Sequence, residues 1–268
     1  MAVRAETTRG HAAPLRINGL VLARWGVVAA GLLLWEAAAR TVVPAYFLPP
    51  ISQIVPRVLA LLGDPDVVSD LGLTLKEVGL AFVLAVTGGL LLGLVAGSTR
   101  FLRDAFEPIL LGVLSVPKIL FLPLFLLSLG IGLAEKVVYG AFRGLVTLAV
   151  TVNAGFRGLD ARWVMMGRIY GATTPQIWRT IVLPSMTPLL YTGARMVIGF
   201  AFLGVILAEM AISAGGIGHR LSLAADRGDV RTLFALIFVI TAIALAIDSL
   251  LAWHYRRAFR WKQAARGR

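Results

Sequence analysis

The chain has 268 residues, of which 58% are hydrophobic and 15% charged, with a mean hydropathy of +0.84. This apolar share exceeds that of a soluble globule, so lipid is the main solvent and an ordinary soluble domain is excluded. With no cysteine there is no disulfide framework, thiolate metal site or thiol nucleophile, and the net charge of +12 has to be explained by where it falls.

In chain order, residues 1–19 read as a short cytoplasmic tail bearing Arg4, Arg9 and Arg16. A cleaved signal peptide is the alternative, but the apolar run from Leu20 continues too long for one. Six segments then supply the roughly 20 apolar residues that a bilayer crossing needs: Leu20 to Ala39, Val78 to Gly97, Ile109 to Leu133, Val137 to Gly155, Leu189 to Ile212 and Leu233 to Trp253. They define an all-α transmembrane domain over 20–254 with a long loop at about 156–188, followed by a basic tail over 255–268. Placing the N-terminus inside puts sixteen basic and four acidic residues on the cytoplasmic side and seven of each outside. Basic loops stay in the cytoplasm, so both termini are expected there. The same rule accounts for the charge of +12 without nucleic acid as a partner.

The second span carries Gly89, Gly93 and Gly97 at four-residue spacing, a stripe that lets a neighbouring helix approach closely. The third contains Pro117 and Pro123, each lacking a backbone donor, so a straight helix is not expected. Broken backbone at membrane depth is tolerated where protein or a wet cavity satisfies it; a translocation path near Ser115 to Leu124 and a plain packing kink both fit. Ionisable residues inside spans cost about 2.5 to 3.5 kcal/mol each on insertion scales and need a reason. Apart from Arg24, at the inner end of the first span and counted with the cytoplasmic side, they are Glu36, Lys118, Arg143, Arg195, Glu209 and Asp248. Pro117, Lys118, Pro123, Arg143 and Glu209 are the candidate path residues, with Lys118 and Arg143 able to attract an anion, to pair with a carboxylate or to snorkel. Arg195, near the cytoplasmic end of its span, suits a tie between helices.

The loop between the fourth and fifth spans has its own helix punctuation. Ala161 to Tyr170 can form a short helix capped by Gly171, and Thr173, Pro175 and Gln176 supply an N-cap, a first-turn proline and a capping-box partner. The product is a helix-turn-helix with Trp163, Tyr170, Ile177 and Trp178, poor in basic residues and suited to a groove in a partner protein rather than to DNA. Further along, the glycine-rich stretch from Ala214 to Arg231 reads equally as a gate dipping toward the path or as a surface loop.

Gly171, Ile181, Leu183 and Pro184 match, at the right spacing, the motif Glu-Ala-Ala-x3-Gly-x9-Ile-x-Leu-Pro. On that motif the chain resembles the permease subunits of bacterial ATP-binding-cassette importers, in the group handling nitrate, sulfonates, bicarbonate and taurine. Leu48-Pro49-Pro50, Val116-Pro117-Lys118, Leu122-Pro123-Leu124, Gly130-Ile131-Gly132, Ala208-Glu209-Met210 and Gly216-Ile217-Gly218 extend the resemblance over about Leu48 to Trp261. Met165-Met166-Gly167 departs from it, standing where the family has Glu-Ala-Ala. The resemblance implies a type I importer permease fold in the bacterial inner membrane. It also implies a second permease copy, a soluble binding protein outside and a pair of cytoplasmic ATPase subunits holding ATP and magnesium, with no cofactor on this chain. Met165, Met166, Gly167, Gly171, Ile181, Leu183 and Pro184 would form the coupling loop to the ATPase. The cargo it implies is a small solute, foremost an anion.

Composition agrees by omission. Lys76, Lys118, Lys136 and Lys262 are followed by Glu, Ile, Val and Gln, so no Walker-type phosphate loop is present. There is no Gly-x-Ser-x-Gly elbow or His-Glu-x-x-His pair, and His11, His219 and His254 are scattered, which argues against an intramembrane hydrolase or a zinc site. A gradient-driven secondary transporter or channel is the alternative; it would be expected to carry inverted repeats and paired broken helices, and only one strongly broken segment is evident.

Overall fold

A computed structural model describes residues 16–44 and 46–258. The N-terminal tail up to residue 15 and the basic tail from 259 lie outside the described residues. The described residues are helical throughout, without strands. They divide into two compact units, 1–56 and 57–268.

The first unit contains α1 (Arg16–Thr41) and the start of α2 (Ile51–Leu62). Glu36, costly in a span if unpaired, accepts from Arg40 Nε at 2.6 Å and from the Ser52 hydroxyl at 2.8 Å. Trp35 Nε1 donates to the Pro49 carbonyl, which fixes the turn at Pro49-Pro50.

The second unit is built on α3 (Pro65–Gly97), α6 (Leu133–Arg157) and α9 (Leu183–Ala211), with α6 packed along both others. The glycine stripe is what lets α3 and α6 close. A Cβ at Gly89 would lie 2.8 Å from the Leu145 carbonyl, one at Gly93 2.5 Å from Val152 Cβ, and one at Gly97 would enter the Phe156 ring. Gly144 and Gly193 play the same part between α6 and α9. Around this core stand α4 (Arg100–Ser115), a 3-10 turn at Lys118–Phe121 leading into α5 (Leu122–Leu129), α7 (Ala161–Ile169), the four-residue α8 (Thr174–Ile177), α10 (Ile217–Asp226) and α11 (Val230–Ala258).

Among the described residues five helices are long and apolar enough to cross a membrane, and six crossings result if α4 and the 118–129 segment count as one bent span. Three outlines differ from the sequence expectation. The break in the third span is a bend of 88°: Val116, restricted by the proline after it, is extended, and Pro117 carries that course into the 3-10 turn. At 33 residues α3 is about 50 Å long, well beyond roughly 30 Å of hydrocarbon, so it begins a dozen residues before the expected Val78. The second helix of the loop is no separate surface helix either. It runs on from Thr174 to Ala211 as one 38-residue element. A π turn at Trp178–Val182, in which the Leu183 amide reaches back to the Trp178 carbonyl, absorbs the disturbance just before Pro184.

Candidate functional site

Three polar constellations stand out, one at each end of α9 and one at the bend. At the first end is the loop knob. Asp160 caps α7, accepting from the Arg162 amide at 2.9 Å; side-chain bonds from Arg162 hold its carboxyl below the usual carboxylate range. Gly171 ends the helix at φ +76°, the left-handed conformation open to glycine. The capping box forms as the Thr173 amide donates to Gln176 Oε1 at 2.7 Å. Gly167 has a second use: a Cβ there would meet Ile181 Cδ1 at 3.0 Å, so a minimal residue lets α7 fold back on Ile177 and Ile181.

Apart from Arg162, paired with Asp160, and Arg168, the outer surface of α7 is apolar and uncovered. Trp163, Met165, Met166, Ile169 and Tyr170 are 46 to 82% exposed, whereas Ile177 and Val182, on the inner face, belong to the buried cluster of Ala85, Leu148, Val152 and Val197. Trp178 packs edge-on against Phe156, over which Arg103 lies while donating to the Gly97 carbonyl at 3.0 Å. The knob is thereby fastened to α3, α4, α6 and α9 together. Of the expected loop residues, Gly167, Gly171, Ile181, Leu183 and Pro184 shape it, while Met165 and Met166 are its exposed apolar surface.

The bend holds Pro117, Lys118 and Pro123, with Arg143 opposite on α6. Pro123 sits in the first turn of α5, where its missing donor costs nothing. Arg143 Nη1 donates to the Tyr139 hydroxyl at 3.2 Å, its guanidinium carbon lies 5.9 Å from the centre of that ring, and its Nε is buried without a partner. The Lys118 ammonium reaches only the Leu114 carbonyl, at 3.5 Å. Among the described residues neither Lys118 nor Arg143 forms an ion pair, while Arg40, Lys136, Arg195 and Arg220 are each tied to a carboxylate. Arg195 binds Asp248 and so joins α9 to α11, as its position in the sequence suggested.

The remaining candidate, Glu209, is fully buried at the other end of α9, with both oxygens occupied by Thr74 and Gly218. Nearby, Lys136 Nζ donates to Glu77 at 2.8 Å, and Glu135 is buried beside them. Sequence reasoning missed Glu77, Glu135 and Lys136 because hydropathy ends a span at a charge, and these three adjoin the expected span limits. A signal was available: Lys and Glu at the starts of two spans expected to be neighbours.

Comparison with known proteins agrees with this architecture. The chain is 27% identical over 247 residues, 92% of its length and 97% of the relative's, to a protein named probable ABC transporter permease in Brucella abortus. It is 25% identical over 232 residues, 85% of its length and 84% of the relative's, to the taurine transport system permease protein of Escherichia coli. In fold it is similar to a chain of the MetNI methionine ABC transporter solved in inward-facing conformations, with a TM-score of 0.53 at 19% identity over 79% of this chain and 97% of that one. Residues 89–260, most of the chain and all three constellations but for the α3 residues of the last, match the family described as the binding-protein-dependent transport system inner membrane component, and the chain belongs to that family.

Proposed function

We propose that this permease is the membrane half of an ATP-driven importer, that the knob of α7 and α8 docks into a cytoplasmic ATPase subunit, and that the bend at Lys118 and Arg143 is the path of a small anion. The uncovered apolar face of α7 carries the reading. Five large apolar side chains exposed on nine residues of helix and its cap, backed by a rigid core, make a surface for insertion into a protein groove. Because Met165 stands where a glutamate is usual in the family, docking here rests on shape and apolar contact rather than on an ion pair at that position.

The chain supplies no nucleotide site of its own, so ATP and magnesium belong to the ATPase pair. A second permease copy completes the path, and an extracytoplasmic binding protein delivers the cargo to the end of the bundle bearing α10. The knob and both termini then face the cytoplasm, as the distribution of basic residues requires. Two cations without a carboxylate at a broken span favour an anion over a neutral or cationic solute, and taurine, transported by the system of one relative, bears a sulfonate. ATP closing the ATPase pair would pull on the knob, and α9, continuous with it, would carry the movement across the membrane.

The test is co-purification with a co-expressed ATP-binding-cassette ATPase subunit from the same source. The complex is expected to survive detergent with the native chain and to dissociate when Met165, Met166 and Tyr170 are all replaced by Asp. Retention of the ATPase by that variant would refute docking through α7.

A further inference from the structure

The buried polar groups at the far end of α9 are the most completely enclosed charges among the described residues. Glu209 and Glu77 are 0 and 1% exposed, Thr74 2% and Lys136 5%. Each contact joins a different element. Glu209 on α9 accepts from the Thr74 hydroxyl of α3 at 2.7 Å and from the Gly218 amide of α10 at 2.7 Å. Thr74 in turn accepts from the Ile217 amide at 3.0 Å. One turn earlier on α3, Asp70 accepts from the Gly216 amide at 2.9 Å and pairs with Arg220. Beneath them Glu77, three residues on from Thr74 along α3, accepts from Lys136 of α6 at 2.8 Å.

The glycines fit this arrangement and no other. Gly216 has φ +98°, and a Cβ on it would overlap the Glu209 carboxyl; one on Gly218 would lie 2.5 Å from the Ile206 carbonyl and 2.7 Å from Glu209 Cβ. Gly216-Ile217-Gly218 is thus a cradle in which three successive amides at the start of α10 point into carboxylate and hydroxyl acceptors. Removing a buried acceptor strands the donors that face it, which costs more than the bonds themselves contribute.

We propose that Glu209 is a positioning residue for transport: its carboxylate clasps the 212–229 hairpin so that the hairpin moves as one body with α9, the helix that carries the knob at its other end. The hairpin is then neither an independent flap nor a passive loop. The knob and the hairpin are the two ends of one 38-residue lever, and Thr74, Asp70, Glu77 and Lys136 seat its far end against α3 and α6. The clasp rests on the importer reading only for its activity readout.

The lack of native cysteine allows a direct test. Exposed Leu203 on α9 and Ala225 on α10 are replaced by Cys and spin-labelled in nanodiscs, and the distance between them is measured by electron paramagnetic resonance without nucleotide and, in the assembled transporter, after trapping with ATP and vanadate. The expected result is one narrow distribution in both states, a broad one in Glu209→Ala, and an intermediate one in Glu209→Gln, which keeps an acceptor for Thr74 but faces the Gly218 amide with another donor. In the transporter, Glu209→Ala is expected to raise the ATP hydrolysed per solute imported at least tenfold. A hairpin distance unchanged by Glu209→Ala, or one that shifts between nucleotide states in the otherwise native chain, would overturn the clasp. If Glu209→Ala fails to insert, Thr74→Val and Gly216→Ala are measured in its place and are expected to broaden the distribution; a narrow one in both overturns the proposal. A broadened hairpin in a chain that binds no ATPase would sink the importer reading and leave the clasp standing.

Discussion

Single residues act here mainly by what they leave out. At Gly171 the positive φ costs any β-branched residue about 1–3 kcal/mol, and nothing nearby would hold it in place. Gly171→Val is therefore expected to insert normally, to distort only the turn between α7 and α8, and to lose uptake while the ATPase continues to hydrolyse, as read by uptake and phosphate release on the same preparation. Gly93 is limited by space rather than by conformation. Gly93→Val places carbon against Val152 and the Ala149 carbonyl between two long helices that cannot both yield. Overpacking of this kind costs about 1–3 kcal/mol, and thermal unfolding in detergent is expected to show a lower midpoint. The same economy explains how well the stripe could be read in advance: four-residue glycine spacing on a helix has few uses other than close approach, and the structure places α6 against it. The role of Gly167, the third residue of the divergent Met-Met-Gly, could not be read, because what it accommodates is Ile181, fourteen positions away.

At the scale of elements, the third span and α9 answer the presence of proline in opposite ways. Around Pro117 the chain abandons the helix and turns 88°, leaving two cations unpaired; around Pro184 a π turn keeps the helix continuous. Composition predicted a disturbance at Pro117 and none at Pro184, and packing decides the form each takes: Phe121 and Phe125 lie on Phe142 of α6 and hold the bent segment down. If the bend is an anion path, Lys118→Ala and Arg143→Ala are each expected to raise the KM for an anionic cargo roughly tenfold, the worth of one hydrogen bond to a charged group, with assembly unchanged. The KM is read from initial rates in proteoliposomes. Arg195 and Asp248 offer a contrast, since their role is a tie: removal of either leaves its partner unpaired near lipid, so Arg195→Ala is expected to cost more stability than the Arg195→Ala, Asp248→Ala double variant, measured by a double-mutant cycle of thermal unfolding. Glu77 and Lys136 remained hidden for the same reason that Arg195 was visible. A charge within an apolar run stands out, while one at its edge is taken for the edge.

Across the whole molecule, the class of protein followed from gross properties: apolar content, six possible crossings, the side that carries the arginines, and a loop too well punctuated to be a mere connection. The proposed transmission of force did not, because it rests on α9 being continuous from Thr174 to Ala211 and on contacts among residues far apart in sequence, such as Thr74 with Glu209 and Phe156 with Trp178. In the proposed mechanism movement enters at the knob and is driven by nucleotide on a separate subunit. The measurement that addresses it most directly is uptake of taurine, nitrate and methanesulfonate, carried in by the cognate binding protein, into proteoliposomes holding the permease and its ATPase, with ATP sealed inside or absent and all ion gradients collapsed by ionophores. Uptake of at least one of these anions that requires ATP, survives the ionophores and is abolished by vanadate is the expected result. Uptake that continues without ATP and stops when the gradients are collapsed would contradict it.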